Sequence, residues 1–197
     1  MTTNAASPQT HTPAPTPQWA QDILLFWFAE LKPEDWFTGG ARVDDLIRNH
    51  FGALFETMAN GVPNGALNHP RIALASILLF DQFPRNLFRG TARAFATDNL
   101  ALAIARNALD RDFDRAMERH ERPFLYLPFE HSEVLADGER CVALFKSLGD
   151  EAGLAYAIEH RDILARFGRY PHRNAVLGRP STPEEEAFLD AHKGFGQ

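Results

Sequence analysis

The sequence predicts an all-α fold of seven or eight helices and no sheet, on three observations. Apolar residues recur at the 3.6-residue period, most clearly in Leu46, Ile47, Phe51, Leu54, Phe55 and Met58. Pro and Gly punctuate the chain at helix-length intervals. No segment alternates apolar and polar residues convincingly at period two.

Residues 1–17 hold no core-forming stretch and read as a disordered tail, so residues 18–192 form the expected single domain. The first helix starts near Pro17 or Trp19 and runs to about Leu31, with Ile23 to Phe28 apolar on more than one face. Pro33 stops it, and Asp35 to Gly40 reads as a loop. The second helix carries the periodic run above and ends at Asn60-Gly61. The third opens at His69-Pro70, where Pro suits the first turn. Its body, Ile72 to Phe80, is almost wholly apolar and reads as the central core helix. Pro84 ends or restarts it. Thr97 or Asp98 caps a fourth helix, Leu100 to about Leu109. Pro123 and Pro128 are expected to break the next stretch into short turns. Helices follow at about Val134–Leu148 and Glu151–Phe167, each closed by a glycine. Thr182-Pro183-Glu184-Glu185 reads as a capping box that opens a last short helix. No internal repeat of 34 residues survives at the sequence level.

Composition narrows the function classes. The net charge of −6 argues against nucleic-acid or anionic-membrane binding, which need a basic surface. No apolar run approaches the roughly 18 residues of a membrane span. The single cysteine, Cys141, allows no internal disulfide and points to a reducing, cytoplasmic setting. Of the 20 basic residues, all but Lys32, Lys146 and Lys193 are Arg. That bias fits either genomic base composition or a use of the planar guanidinium. Nucleophile elbows, P-loops, dinucleotide fingerprints, His-Glu-x-x-His and Glu-x-x-His pairs are all missing from the sequence.

Four polar segments lie where loops meet helices. In the first, Asp81 closes the apolar helix, with Asn86 and the forks of Arg85, Arg89 and Arg93 following. A carboxylate there needs a partner. A local Asp81–Arg85 ion pair answers that need, but three forks call for further carboxylates or for an anionic ligand. In the second, aromatic residues run straight into Glu130 and His131, a frame that raises a carboxyl pKa and suits acid–base work. Pairing of Glu130 with an Arg is the plainer alternative. The third is His160, aligned with Ala157, Leu164 and Phe167 and hence inward-facing; such a residue is either a core histidine or a ligand. The fourth presents Arg169, His172, Arg173 and Asn174 after Gly168.

These segments carry a resemblance. Leu79-Phe80-Asp81-Gln82-Phe83-Pro84-Arg85-Asn86, Arg93-Ala94-Phe95-Ala96-Thr97-Asp98, Pro128-Phe129-Glu130-His131-Ser132-Glu133 and Arg166-Phe167-Gly168-Arg169-Tyr170-Pro171-His172-Arg173-Asn174 look like the motifs of a bacterial family known as domain of unknown function 924. The resemblance covers about residues 19–190, in order, with Phe80 where the motif has Leu. It implies a tetratricopeptide-like superhelical array of antiparallel helical pairs, and it implies no activity or cofactor.

Two functions of different class follow. One is a pocket for a small anion, lined by Arg85, Asn86, Arg89, Arg93, Arg169, Arg173 and Asn174. There Glu130, His131, His160 and His172 would be acid–base candidates, and Asp81 a structural ion pair. The other is a module that binds a protein or peptide, its polar motifs serving as structural ion pairs. A metal site at Glu130, His131, His160 and His172 would require two or three of them to converge on one ion.

Overall fold

The computed structural model describes residues 15–192; residues 1–14, most of the expected tail, lie outside them, as do 193–197. The described residues are all α-helical in their regular structure, with no strand. α1 (Gln18–Leu25) passes into a π-helical turn (Phe26–Glu30), then a single turn α2 (Asp35–Thr38) and the long α3 (Gly40–Met58). α4 (Pro70–Ile77) passes into a second π turn (Leu78–Gln82) and α5 (Phe83–Leu87). A 3₁₀ turn (Ala92–Phe95) leads to α6 (Asp98–Asp110), and another (Phe113–Ala116) precedes α7 (Arg122–His131). α8 (Leu135–Leu148), α9 (Glu151–Phe167), a 3₁₀ turn (Pro171–Arg173) and α10 (Pro183–Ala191) complete the chain.

α4 is the centre of the core, as its composition predicts. It packs against α1, α6 and α7. Leu74, Ile77, Leu78, Leu79 and Phe80 are wholly buried, and each contributes roughly 1.5–3 kcal/mol by leaving water. α7, α8 and α9 lie side by side in chain order. Gly149 (φ 66°) and Gly168 (φ 68°) close α8 and α9 in the left-handed conformation that a side chain resists. Thr182 and Glu185 form the expected capping box of α10.

Two local expectations are corrected. Asp35–Thr38 is helical rather than loop, and Trp36 Nε1 donates to the Trp27 carbonyl at 2.7 Å to hold it. Pro123 and Pro128 do not fragment the chain, because both sit inside α7. Pro123 occupies the first turn, where its missing N–H is not needed. Pro128 does remove one helical bond. Burial of Phe124, Leu125, Leu127 and Phe129 on both sides of it offsets that loss.

The α8–α9 corner is packed to its limit. Asp150 caps α9 by accepting from the Gly153 N–H at 3.1 Å. A Cβ on Gly153 would lie 2.5 Å from Phe145 ring atoms and 2.8 Å from the Asp150 carboxylate. Gly153→Ala is therefore expected to destabilise by roughly 1–3 kcal/mol through overpacking, against the ~1 kcal/mol helix preference of Ala. A urea midpoint unchanged or raised would show that the Phe145 ring moves aside freely.

Candidate functional site

The second π turn sets the site. The Phe83 N–H reaches back five residues to the Leu78 carbonyl, so the extra residue shifts the side chains that follow. Asp81 thereby stays in the core, with none of its surface exposed. Its Oδ1 lies 2.7 Å from His131 Nδ1, and its Oδ2 accepts from Gln82 at 2.5 Å. Arg85, one turn on, stands 3.9 Å away. Burial pushes the Asp81 carboxyl up, but His131, Arg85 and Gln82 outweigh it and hold it below the usual carboxylate range.

Arg85 pairs with Asp98 at 2.9 Å and donates to the Ala94 carbonyl. Arg173 reaches the same Asp98 at 3.8 Å and donates to the His131 carbonyl at 2.9 Å. Both guanidiniums pack over the Phe95 ring, 4.8 and 4.7 Å from its centre. Asp81, Arg85, Asp98, His131 and Arg173 thus make one junction, drawn from the π turn, α5, α6, α7 and the last 3₁₀ turn. Thr97 fastens it by donating to the Phe80 carbonyl at 2.7 Å.

Glu130 and His160 lie next to this junction. Glu130 is buried and, among the described residues, pairs with no arginine. His160 Nδ1 stands 3.7 Å from its carboxylate and donates to the Tyr156 carbonyl at 2.9 Å. Burial, with Asp81 and Glu159 adding to it, raises the Glu130 carboxyl to about 8, so it is protonated at neutral pH. Burial lowers His160 to about 3, opposed by its bond to Tyr156 and assisted by His131, His172 and Arg173. Burial and then Arg173 bring His172 to about 4. The Tyr170 ring packs between His160 and His172, with centroids 5.5 and 5.4 Å away, and its hydroxyl donates to the Glu130 carbonyl.

The remaining sequence candidates go elsewhere. Arg89 makes two bonds to Asp44, at 2.9 and 3.2 Å. Arg93 pairs with Glu56 at 2.7 Å, so both tie α5 and its following turn to α3. Arg169 holds Glu185 with two bonds of 2.6 and 2.7 Å, which bring that carboxyl down to about 2. Asn86 donates to the Gln82 carbonyl at 3.2 Å. Asn174, buried, accepts from Arg179 at 3.0 Å and donates to Ser181 at 3.1 Å. A cleft of about 30 Å³ beside the junction is lined by Arg85, Arg89, Phe95 and His172 among others; it has room for about two waters. Among the described residues, no three His, Cys, Asp or Glu side chains converge as metal ligands do.

Sequence reasoning missed the distant carboxylates. Glu133 receives two bonds from Arg179, at 2.6 and 2.9 Å, and one from the Tyr170 N–H at 2.8 Å. Asp137 accepts from Arg106 and Ser132. Asp98 reads as a helix cap, and Glu185 as half of a capping box. The capping box is real, yet Glu185 also anchors Arg169. No local pattern marks a residue for a partner dozens of positions away.

These observations define an all-helical protein whose Arg, His and carboxylate motifs form ion-pair networks, some buried and some at the surface, with Arg85 Nε and Arg173 Nε left without a hydrogen-bond partner among the described residues. The family described as bacterial protein of unknown function (DUF924) matches residues 23–193. The chain belongs to that family. It is also similar to a solved structure, the protein of unknown function ATU0120 from Agrobacterium tumefaciens, at 41% identity and a TM-score of 0.80. That similarity covers 88% of this chain and 97% of the other. No functionally curated protein matches the chain. No described helix is long and apolar enough to cross a membrane.

Proposed function

We propose that the chain is a protein-interaction module, a tetratricopeptide-like stack of helices whose polar motifs stiffen it and present a preformed surface to another protein. The carrying observation is the matching of its arginines. Arg85 and Arg173 share Asp98, Arg89 has Asp44, Arg93 has Glu56 and Arg169 has Glu185. At the junction two carboxylates, Asp81 and Asp98, face the two guanidiniums of Arg85 and Arg173, so little positive charge is left over for a ligand to neutralise. The Arg85–Asp98–Arg173 group is largely buried, where ion pairs fix geometry more than they add stability, while Arg89 and Arg93 pair nearer the surface. The consecutive packing of α7, α8 and α9 supports the stacked arrangement.

A second reading is favoured by one observation: Arg85, Arg89 and His172 all line the small cleft. That cleft would take one carboxylate or phosphate group rather than a whole metabolite, since ligand sites run to roughly 300–1,000 Å³. His172, the titratable side chain that lines the cleft, would then be its acid–base group.

Thermal shift separates the two. On the module reading no anionic metabolite raises the melting temperature of the wild type, and Arg169→Ala lowers it with no compound restoring it. A compound that stabilises the wild type but fails with both Arg85→Ala and Arg173→Ala, after allowance for their own losses, would establish the anion site instead. Affinity capture supplies the positive arm. The module reading requires a partner held by the wild type that is lost on changing one helical face and kept on changing another.

A further inference from the structure

α10 is tied to α9 at two points. Arg166 pairs with Glu184 at 2.8 Å, and His192 Nε2 lies 2.8 Å from the Glu159 carboxylate. The Phe167 and Phe188 rings meet at 5.1 Å. The two helices flank a groove of about 400 Å³, an apolar floor of Ala155, Ile158, Ile163, Phe167 and Phe188 with Glu159, Asp162, Arg166 and His192 on its wall. Tyr156, next to Ala155 on α9, is 58% exposed.

Most of the charge around this floor is negative. α9 and α10 expose Glu151, Glu159, Asp162, Glu184, Glu186 and Asp190. Against them stand exposed Arg166, already clamped on Glu184 and stacked over Phe167 at 4.6 Å, half-buried Arg161, bonded to Asp162 at 2.6 Å, and His192 beside Glu159; six carboxylates still outnumber these cations. An apolar trough rimmed by carboxylates is complementary to a helix with an aliphatic stripe and Lys or Arg beside it. An anionic membrane surface is repelled by the same rim, and so is a second copy of a chain whose net charge is −6.

We propose that the α9–α10 groove docks a basic amphipathic helix of another protein. This rests on the module reading and names its partner class. The helix lays its apolar stripe on Ile158, Phe167 and Phe188, and its cations face Glu159 and Asp162.

The test titrates the full chain with a fluorescent amphipathic peptide of Leu and Lys, about 14 residues or four helical turns long, and with its Leu and Glu counterpart. Polarisation is read at low and high salt. The Lys peptide is expected to bind, more weakly at high salt, and the Glu peptide to fail. Glu159→Lys with Asp162→Lys should weaken binding about tenfold or more, as should Ile158→Asp, each checked for folding by circular dichroism and melting. Glu30→Lys with Glu34→Lys makes the same charge change at the α1–α2 end and should leave affinity within about twofold. No binding, equal binding of both peptides, or equal weakening by the α1–α2 variant would overturn the proposal. If the Lys peptide fails but a captured partner is still lost with Ile158→Asp, the module reading stands and the basic helix is wrong.

Discussion

Asp81→Ala is expected to lower the unfolding free energy by about 3–5 kcal/mol, the range for breaking a buried ion pair from one side. Asp81 is wholly buried and holds His131 at 2.7 Å with Arg85 at 3.9 Å. Removing it leaves an imidazole and a guanidinium facing apolar surface with one carboxylate, Asp98, between Arg85 and Arg173. For a chain of this size each kcal/mol shifts the melting temperature by roughly 2–4 °C, so a drop of about 6–20 °C is expected. Asp81→Asn keeps the shape and part of the hydrogen bonding, and should cost less. In a double-mutant cycle Asp81 and His131 should couple, because each single change strands the other. A melting curve unchanged by Asp81→Ala would show that the junction contributes nothing to the fold.

The second large effect is pH dependence through Glu130. Its folded carboxyl is raised to about 8 from an ordinary 4.5. The folded state therefore holds a proton that the unfolded chain has released. Stability from this group is fully present below about 4.5 and is lost as pH rises through about 8. At about 1.4 kcal/mol per pKa unit the loss is on the order of 4–5 kcal/mol at most. Glu130→Gln cannot ionise, so its unfolding free energy should fall far less between pH 5 and pH 9 than that of the wild type. Parallel stability curves for the two proteins would refute a protonated Glu130.

His160 and His172 act with the opposite sign. Their folded values, about 3 and about 4, lie below the ordinary 6.5. Their contribution is present above 6.5 and fades as pH falls toward those values. Acid should therefore destabilise the fold through the histidines and alkali through Glu130.

The legible and illegible parts of this chain differ in range. The α3 period, the apolar run of α4, the closing glycines of α8 and α9 and the capping box of α10 are patterns within a few residues, and all appear in the fold. The inward face of His160 follows from helical spacing alone, and His160 is buried. The two prolines of α7 mislead because their local cost is real. What offsets it is packing against α6 and α8, which no window of sequence contains. The π turn at Leu78–Gln82 escapes for the same reason: its sequence is ordinary apolar helix until Asp81 finds His131 across the core.

The sequence by itself determined that this protein is helical, where most helices start and stop, and which polar residues needed partners, because propensity, periodicity and capping act over one or two turns. Only the tertiary structure decided who those partners are. Asp98 serves Arg85 and Arg173, Glu185 takes Arg169, and Asp44 takes Arg89. Among the described residues Glu130 lies beside His160 and takes no arginine. Carboxylate and guanidinium attract at any sequence separation, so the choice among many possible pairs is made by the packing of apolar faces that brings particular helices together.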